Sequence, residues 1–194
     1  MTAPKKPKLY SVIYADPPWS YNDKMGDRKS FSVVGKYETQ KLSWIENLPI
    51  KDIAGENSAL FLWVVSPLLP EGFEVLKKWG FKYKTVAFCW VKETPLFNSV
   101  ANLGRWTMGG MELCLLGVKG KPQRIERNIR QLCFSERRDH SRKPNEIRSR
   151  IVKLMGNVSR IELFARERHE GWDSFGNEIE GGVELSGTFH DPQG

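Results

Sequence analysis

The chain reads as an α/β fold, a sheet with helices packed on both faces, and three observations predict it. Runs rich in Val, Ile, Leu, Phe and Tyr recur near residues 9–15, 58–65, 83–91, 111–118 and 159–165, the composition of buried strands. Residues 70–79 and 145–155 carry apolar side chains at helical spacing. These elements alternate along the chain, the order that builds a sheet covered on two sides. The 194 residues, 40% of them hydrophobic, suffice for one domain with a sizeable core, expected at about residues 9–180 with an acidic tail after it. No internal repeat or low-complexity linker divides it.

The first strand, Tyr10-Ser11-Val12-Ile13-Tyr14-Ala15, runs directly into Asp16-Pro17-Pro18-Trp19. This places one carboxylate in a stiff, aromatic-edged turn at the C-terminal end of a buried strand. The prolines fix their φ angles near −65° and leave two carbonyls with no neighbouring N–H donors, so the turn is expected to present these acceptors in a preset geometry. Such a turn suits an amino group held in place. An exocyclic amine on an aromatic base is a weak nucleophile until its hydrogens are held, and an Asp16 oxygen and the Pro17 carbonyl could accept the two hydrogens. Trp19, or a neighbouring aromatic, could stack on the base, an interaction worth roughly 1–3 kcal/mol. Asp and Pro are also ordinary strand-ending residues.

The following elements take their places by the same rules. Residues 20–40 form a long polar connection to the strand at 58–65. Residues 70–79 form a helix with Leu69, Phe73, Leu76 and Gly80 on one face, and Gly80 is placed to stop it. The connection over 92–109 is again long, polar and glycine-containing, and it holds Arg105 and Trp106. Long ordered loops are usually functional, and both connections fall near strand C-termini, where open α/β sheets bind ligands. The second helix has Pro144 near its start, Ile147, Ile151, Leu154 and Met155 on one face, and Gly156 after its end.

A net charge of +7 points to an anionic partner. Residues 121–150 hold ten Lys or Arg against four Asp or Glu, whereas residues 170–194 hold six acidic residues and no Lys or Arg. The basic stretch lacks interleaved aromatics, so it reads as a phosphate-contacting surface, or as a solvated loop and helix face. Cys89, Cys114 and Cys133 show neither paired nor zinc-ligand spacing and are expected to be reduced thiols. His140, His169 and His190 are isolated, so no metal site is expected. No phosphate-binding glycine loop, metalloprotease helix or nucleophile elbow is present. Gly117-Val118-Lys119-Gly120 follows an apolar strand and reads as a strand-end turn instead of an RNA-binding clamp. No signal peptide or bilayer-length apolar run is seen, which leads to the expectation of a cytoplasmic protein.

The sequence resembles the N6-adenine methyltransferases named after the seventy-kilodalton MT-A subunit of the messenger-RNA adenosine enzyme, in particular their bacterial and phage members. Beyond Asp16 to Trp19, the likeness continues through Leu60-Phe61-Leu62-Trp63-Val64, Trp90-Val91-Lys92, Cys114 to Gly120, Arg142-Lys143-Pro144-Asn145-Glu146, Ile161-Glu162-Leu163-Phe164-Ala165-Arg166 and Gly176-Asn177-Glu178. The segments stand in the family's order. The resemblance implies a Rossmann-like methyltransferase fold with a mixed, mostly parallel sheet. Because the catalytic turn precedes the cofactor-binding segments, it also implies the circularly permuted, β-class motif order.

S-adenosylmethionine is the cofactor that the resemblance implies. Catalysis would fall to Asp16, Pro17, Pro18 and Trp19, and cofactor binding to Asp16, Lys143, Glu162, Leu163, Phe164, Arg166, Asn177 and Glu178. Lys143 at the start of a helix would meet the methionyl carboxylate, which a helix N-terminus also favours. Glu162 is placed to accept from ribose hydroxyls. Tyr37, Arg105 and Arg142 are candidate substrate contacts. Family members commonly carry an acidic adenine contact ahead of the catalytic strand, and residues 1–8 offer none, so more of that recognition would fall to the segment from Phe175 to Glu178.

The resemblance carries three functional expectations: adenine methylation in DNA, the same chemistry on RNA, or a silent nucleic-acid-binding subunit. The compact form favours DNA and the intact Asp16-to-Trp19 motif favours activity. A base in a duplex would have to be flipped out to reach Asp16. A homodimer is a further expectation from the family.

Overall fold

The computed structural model describes residues 8–20, 40–96, 100, 106–136, 142–177 and 179–185. Its strands are β1 (Tyr10–Ala15), β2 (Ala54–Val64), β3 (Lys82–Glu93), β4 (Met111–Lys119), β5 (Leu132–Glu136), β6 (Arg160–Leu163) and β7 (Asp173–Phe175), and its helices are α1 (Leu42–Asn47), α2 (Ile50–Ile53), α3 (Leu69–Lys78) and α4 (Asn145–Met155). One seven-stranded sheet runs in the order β5-β3-β4-β2-β1-β6-β7. Among the described strands β4 alone is antiparallel to its neighbours. This is the mixed, mostly parallel α/β sheet of a Rossmann-like methyltransferase fold.

Strand alternation divides the core between two faces. Ile13, Ala15, Leu60, Leu62, Leu115, Ile161 and Leu163 pack on one face with Val75, Leu76 and Trp79 at α3. Val12, Tyr14, Phe61, Trp63, Phe88 and Cys114 pack on the other with Ile147, Ile151 and Met155 of α4. The predicted α4 face is the buried one. On α3 the buried residues are instead Gly72, Val75 and Leu76, while Phe73 is exposed and meets Tyr83 edge-on, their ring centroids 4.9 Å apart. Gly72 sets this rotation, because a Cβ there would lie 3.0 Å from Val64 Cγ2, so the glycine lets the helix approach the sheet.

Two short strands, β5 and β7, and the helices α1 and α2 escape the sequence reading. Each is six residues or fewer, too short for periodicity to identify. The strand expected over 159–165 ends at Leu163, because Phe164 turns into a positive φ of 60°. The three thiols are free, with Cys114 and Cys133 buried. No helix among the described residues is long and apolar enough to cross a membrane.

The sheet's polarity decides what shares an edge. The C-terminal ends of six strands and the N-terminal end of the reversed β4 lie together, so Asp16, Lys92, Glu112 and the turns after β6 and β7 gather there. The basic stretch is divided by the same polarity. Lys119 pairs with Ser58 near the start of β2, roughly 20 Å from the Asp16 edge at about 3.3 Å per residue. The segment that follows passes α4's far end, where Ile125 N donates to Leu154 O. Residues 121–130 therefore begin away from Asp16, and among the described basic residues of this stretch Arg142, Lys143 and Arg148 are brought to its edge.

Candidate active site

Asp16 follows the buried end of β1 and keeps about a third of its side-chain surface open (32%). The turn after it is pinned to the sheet: Trp19 Nε1 donates to the Trp63 carbonyl at 2.9 Å. The two proline carbonyls do have neighbouring donors, contrary to the expectation from the proline pair. Pro17 O accepts the Trp19 backbone N–H at 2.8 Å and Pro18 O accepts that of Gln40 at 3.0 Å. The chain folds back tightly enough to supply its own donors, leaving each oxygen one lone pair for a ligand.

From Asp16 a row of alternating charges crosses the site. Lys143 Nζ lies 2.6 Å from Asp16 Oδ2 and 3.1 Å from Glu112 Oε2, and Glu112 Oε1 accepts from Lys92 Nζ at 2.5 Å. Lys143 Nζ stands 5.5 Å from the centre of the Trp63 ring and Lys92 Nζ 5.0 Å from that of Trp90, aromatic faces that favour cations. Burial pushes the Asp16 carboxyl above its ordinary value, with Glu112 adding to the rise and Lys143 and Arg166 opposing it. Burial acts upward on Glu112 as well, but Lys143 and Lys92 outweigh it and hold the group below its ordinary value. Lys143 is pushed down by burial and up by Asp16 and Glu112, and the carboxylates win. The site thus keeps a buried ammonium charged between two carboxylates.

A second group of expected residues lies past β6. Leu163 is buried in the core, and Phe164 holds an uncommon positive φ for an aromatic residue. Its ring centroid is 6.2 Å from both Trp44 and Phe175. Ala165 N donates to Phe175 O at 2.9 Å, and a Cβ on Gly176 would fall 2.1 Å from Ala165 O, so only glycine permits this approach. Arg166 is close enough to influence Asp16, and Asn177 is exposed at the end of β7.

Glu162, expected to accept from ribose hydroxyls, is paired with a helix residue. Arg148 Nε and Nη2 donate to its two oxygens at 2.7 and 2.6 Å, and the same guanidinium lies 5.7 Å from the centre of Tyr14. The residue is 7% exposed and its carboxylate is held in a two-point ion pair, which fixes its orientation and leaves each oxygen a further lone pair. Arg142 is exposed and pairs with Glu167 at 3.3 Å. Tyr37, Arg105 and Glu178 lie outside the described residues.

These groups fit S-adenosylmethionine by the chemistry of their donor set. Helix α4 begins with no side-chain cap, so its first N–H groups and the neighbouring Lys143 ammonium suit a carboxylate. Asp16 suits an ammonium, and Phe164 and Trp44 provide aromatic surface. Glu112 and Lys92 are the site residues that sequence reasoning missed. Their signal was present: Glu112 is a lone carboxylate in an apolar strand, in phase with buried Cys114, and a buried acid demands a partner.

Comparison with known proteins agrees with this geometry. The chain is 39% identical over 189 residues to the Type II methyltransferase M.MunI of a Mycoplasma species, covering 89% of this chain and 78% of that protein. It is 32% identical over 177 residues to an N(6)-adenosine-methyltransferase MT-A70-like protein of Arabidopsis thaliana, and 30% identical over 177 residues to the N(6)-adenosine-methyltransferase catalytic subunit METTL3 of Homo sapiens. Those alignments take in 89% of this chain but 24% and 28% of the two relatives, so this chain spans about a quarter of their length. The MT-A70 family profile matches residues 10–178, from the first residue of β1 to just past β7. With the Asp16 turn, the Lys143 cation and the Phe164 edge all inside that span, the chain belongs to the MT-A70 family of N6-adenine methyltransferases.

Proposed function

We propose that this chain, as one domain, methylates the N6 amine of adenine in nucleic acid, DNA in preference to RNA. S-adenosylmethionine is the methyl donor of the family and supplies an electrophilic methyl group when bound. The observation that carries the reading is Asp16, held by Lys143 at 2.6 Å in a turn that leaves part of its carboxylate open. In this reading one Asp16 oxygen and the remaining Pro17 lone pair accept the two hydrogens of the amine and aim its nitrogen, a positioning effect of the kind that contributes most to such transfers. The proton that the methylated nitrogen sheds passes to an Asp16 oxygen, whose raised affinity for protons suits the task. Lys143 and the start of α4 hold a carboxylate, Phe164, Arg166 and Asn177 line the donor's edge, and Arg142 faces phosphate. Tyr37, Arg105 and Glu178 belong to the same proposal as substrate and cofactor contacts.

The likeness in overall extent to a relative named a type II methyltransferase favours DNA. RNA is the second reading, favoured by the relatives named adenosine-methyltransferases. Pairing of two copies is supported by Met111, Leu132 and Phe134, which lie exposed on one face of the sheet beside the site. Sedimentation tests that pairing: a monomer at micromolar concentration rejects it.

The function is tested by transfer of label from S-adenosylmethionine to matched single- and double-stranded DNA and RNA, with Asp16→Ala as control. Label recovered as N6-methyladenine, lost in the control and greatest on DNA, is the expected outcome. Label greatest on RNA selects the second reading, and label independent of Asp16 rejects the mechanism.

A further inference from the structure

Lys92 joins the row of charges that runs through the site by way of Glu112. Its side chain is 14% exposed and its ammonium is 2.5 Å from Glu112 Oε1. Its backbone is fixed too: Lys92 N donates to Gly110 O and Lys92 O accepts from Val100 N, both at 2.8 Å. Gly110 has no room for a side chain, since a Cβ there would lie 2.1 Å from Val100 O. The residue is thus clamped where β3 leaves the sheet, with its cation aimed inward under the Trp90 ring.

The geometry of the row explains why a second cation is needed. Lys143 is shared between two carboxylates, and at 3.1 Å Glu112 competes with Asp16 for it. A buried carboxylate with a single ammonium within reach draws that ammonium fully, because no water compensates for the loss. Lys92 satisfies one Glu112 oxygen and leaves Lys143 to Asp16. We propose that Lys92 is a positioning residue of the methyl-transfer site, acting through Glu112 and Lys143 to keep Asp16 paired and ionised. This inference rests on the proposed function for its catalytic readout.

Among the described residues, these carboxylates face charged or titratable groups from several elements. Asp16 meets Lys143 from the segment ahead of α4, Glu112 and Cys114 from β4, and Arg166 from the turn after β6. Glu112 meets Lys92 from β3 and Lys143. The buried Cys114 thiol is pushed well up by desolvation and by Asp16, so it stays protonated. Removing the Lys92 charge leaves Glu112 to draw Lys143 away, and Asp16 then binds a proton more readily.

The test is the pH profile of kcat/KM for Lys92→Met, Lys92→Arg and Lys92→Met combined with Glu112→Gln. In Lys92→Met the acid limb should move upward by about one pH unit, as expected when a carboxylate loses a close cation. Lys92→Arg should restore the native limb, and Lys92→Met should add no further shift to that of Glu112→Gln. Asp16 carboxyl titration followed by carbon NMR should show the same shifts without any turnover. A uniform fall in rate with an unmoved limb, or an unchanged Asp16 titration, overturns the proposal. If the native protein methylates no polymer, the functional reading has failed and the NMR titration alone decides this one. Should Lys92→Met not fold, Lys92→Gln, which retains a donor without the charge, carries the same comparison.

Discussion

Lys143 Nζ and Asp16 Oδ2 stand 2.6 Å apart although 127 positions separate them in the chain. The pair closes the sheet's central edge, joining the end of β1 to the start of α4. With Glu112 it makes a buried three-charge group in which the single ammonium serves two carboxylates.

Removing that ammonium leaves Asp16 and Glu112 facing each other with part of their compensation lost. Lys143→Met is expected to destabilise the fold by about 3 kcal/mol, the scale for stripping one partner from a buried pair, and to lower methyl transfer at least about 100-fold. Chemical denaturation and the labelled-methyl assay measure the two losses. A stable, active Lys143→Met protein would falsify the assignment of Lys143 to the site.

The Glu112 pairings also predict a pH dependence. Since the folded protein holds Glu112 below its ordinary value, its contribution to stability is present above the ordinary carboxylate range and is lost as pH falls through the lowered folded value. Asp16 works in the opposite direction, because its raised value favours the fold only while it is protonated. Glu112→Gln should therefore melt below the native protein at neutral pH, and the gap should close as the solution is acidified. Melting temperatures measured from pH 7 to pH 3 check this, and a constant gap would contradict it.

Phe164 offers a test of backbone conformation against packing. Its φ of 60° disfavours any side chain, by about 1 kcal/mol relative to glycine. Phe164→Gly and Phe164→Ala both lose the ring contacts with Trp44 and Phe175, but only glycine relieves the backbone. The glycine variant should thus be the more stable of the two by about 1 kcal/mol, measured by urea unfolding. Equal stability would mean that the turn relaxes away from this conformation.

At Gly176 the reason is space, not φ. An added Cβ would meet the Ala165 backbone, with the oxygen at 2.1 Å and the nitrogen at 2.9 Å. Gly176→Ala should force the turns after β6 and β7 apart, lowering the melting temperature by several degrees. It should also weaken the upward shift of the melting temperature that S-adenosylmethionine produces, a ligand effect expected of any molecule that binds the folded state. An unchanged shift would separate this junction from the donor's site.

Local signals carried much of this protein's architecture. The apolar runs of β1 to β4 and the 3.6-residue stripe of α4 were legible, because buried elements of that length repeat their pattern several times. Asp16, Lys143 and the segment from Phe164 to Arg166 were legible as candidates too, through a motif order in which each short segment reinforces the next, whereas Leu163 went into the core. Strands β5 and β7 were not, since three to five residues complete too few periods to stand out from a loop. What only the tertiary structure decided was the company these residues keep. The reversal of β4 brings Glu112 to the edge reached by the C-terminal ends of its neighbours, and neither its own segment nor that of Lys92 encodes this meeting. Arg148 likewise claims Glu162 from the adjacent helix, and Trp19 and Gln40 supply the donors that proline spacing left out of view. Composition and periodicity report how a segment prefers to fold, whereas the partner of a buried charge depends on which distant segment the sheet's order sets beside it.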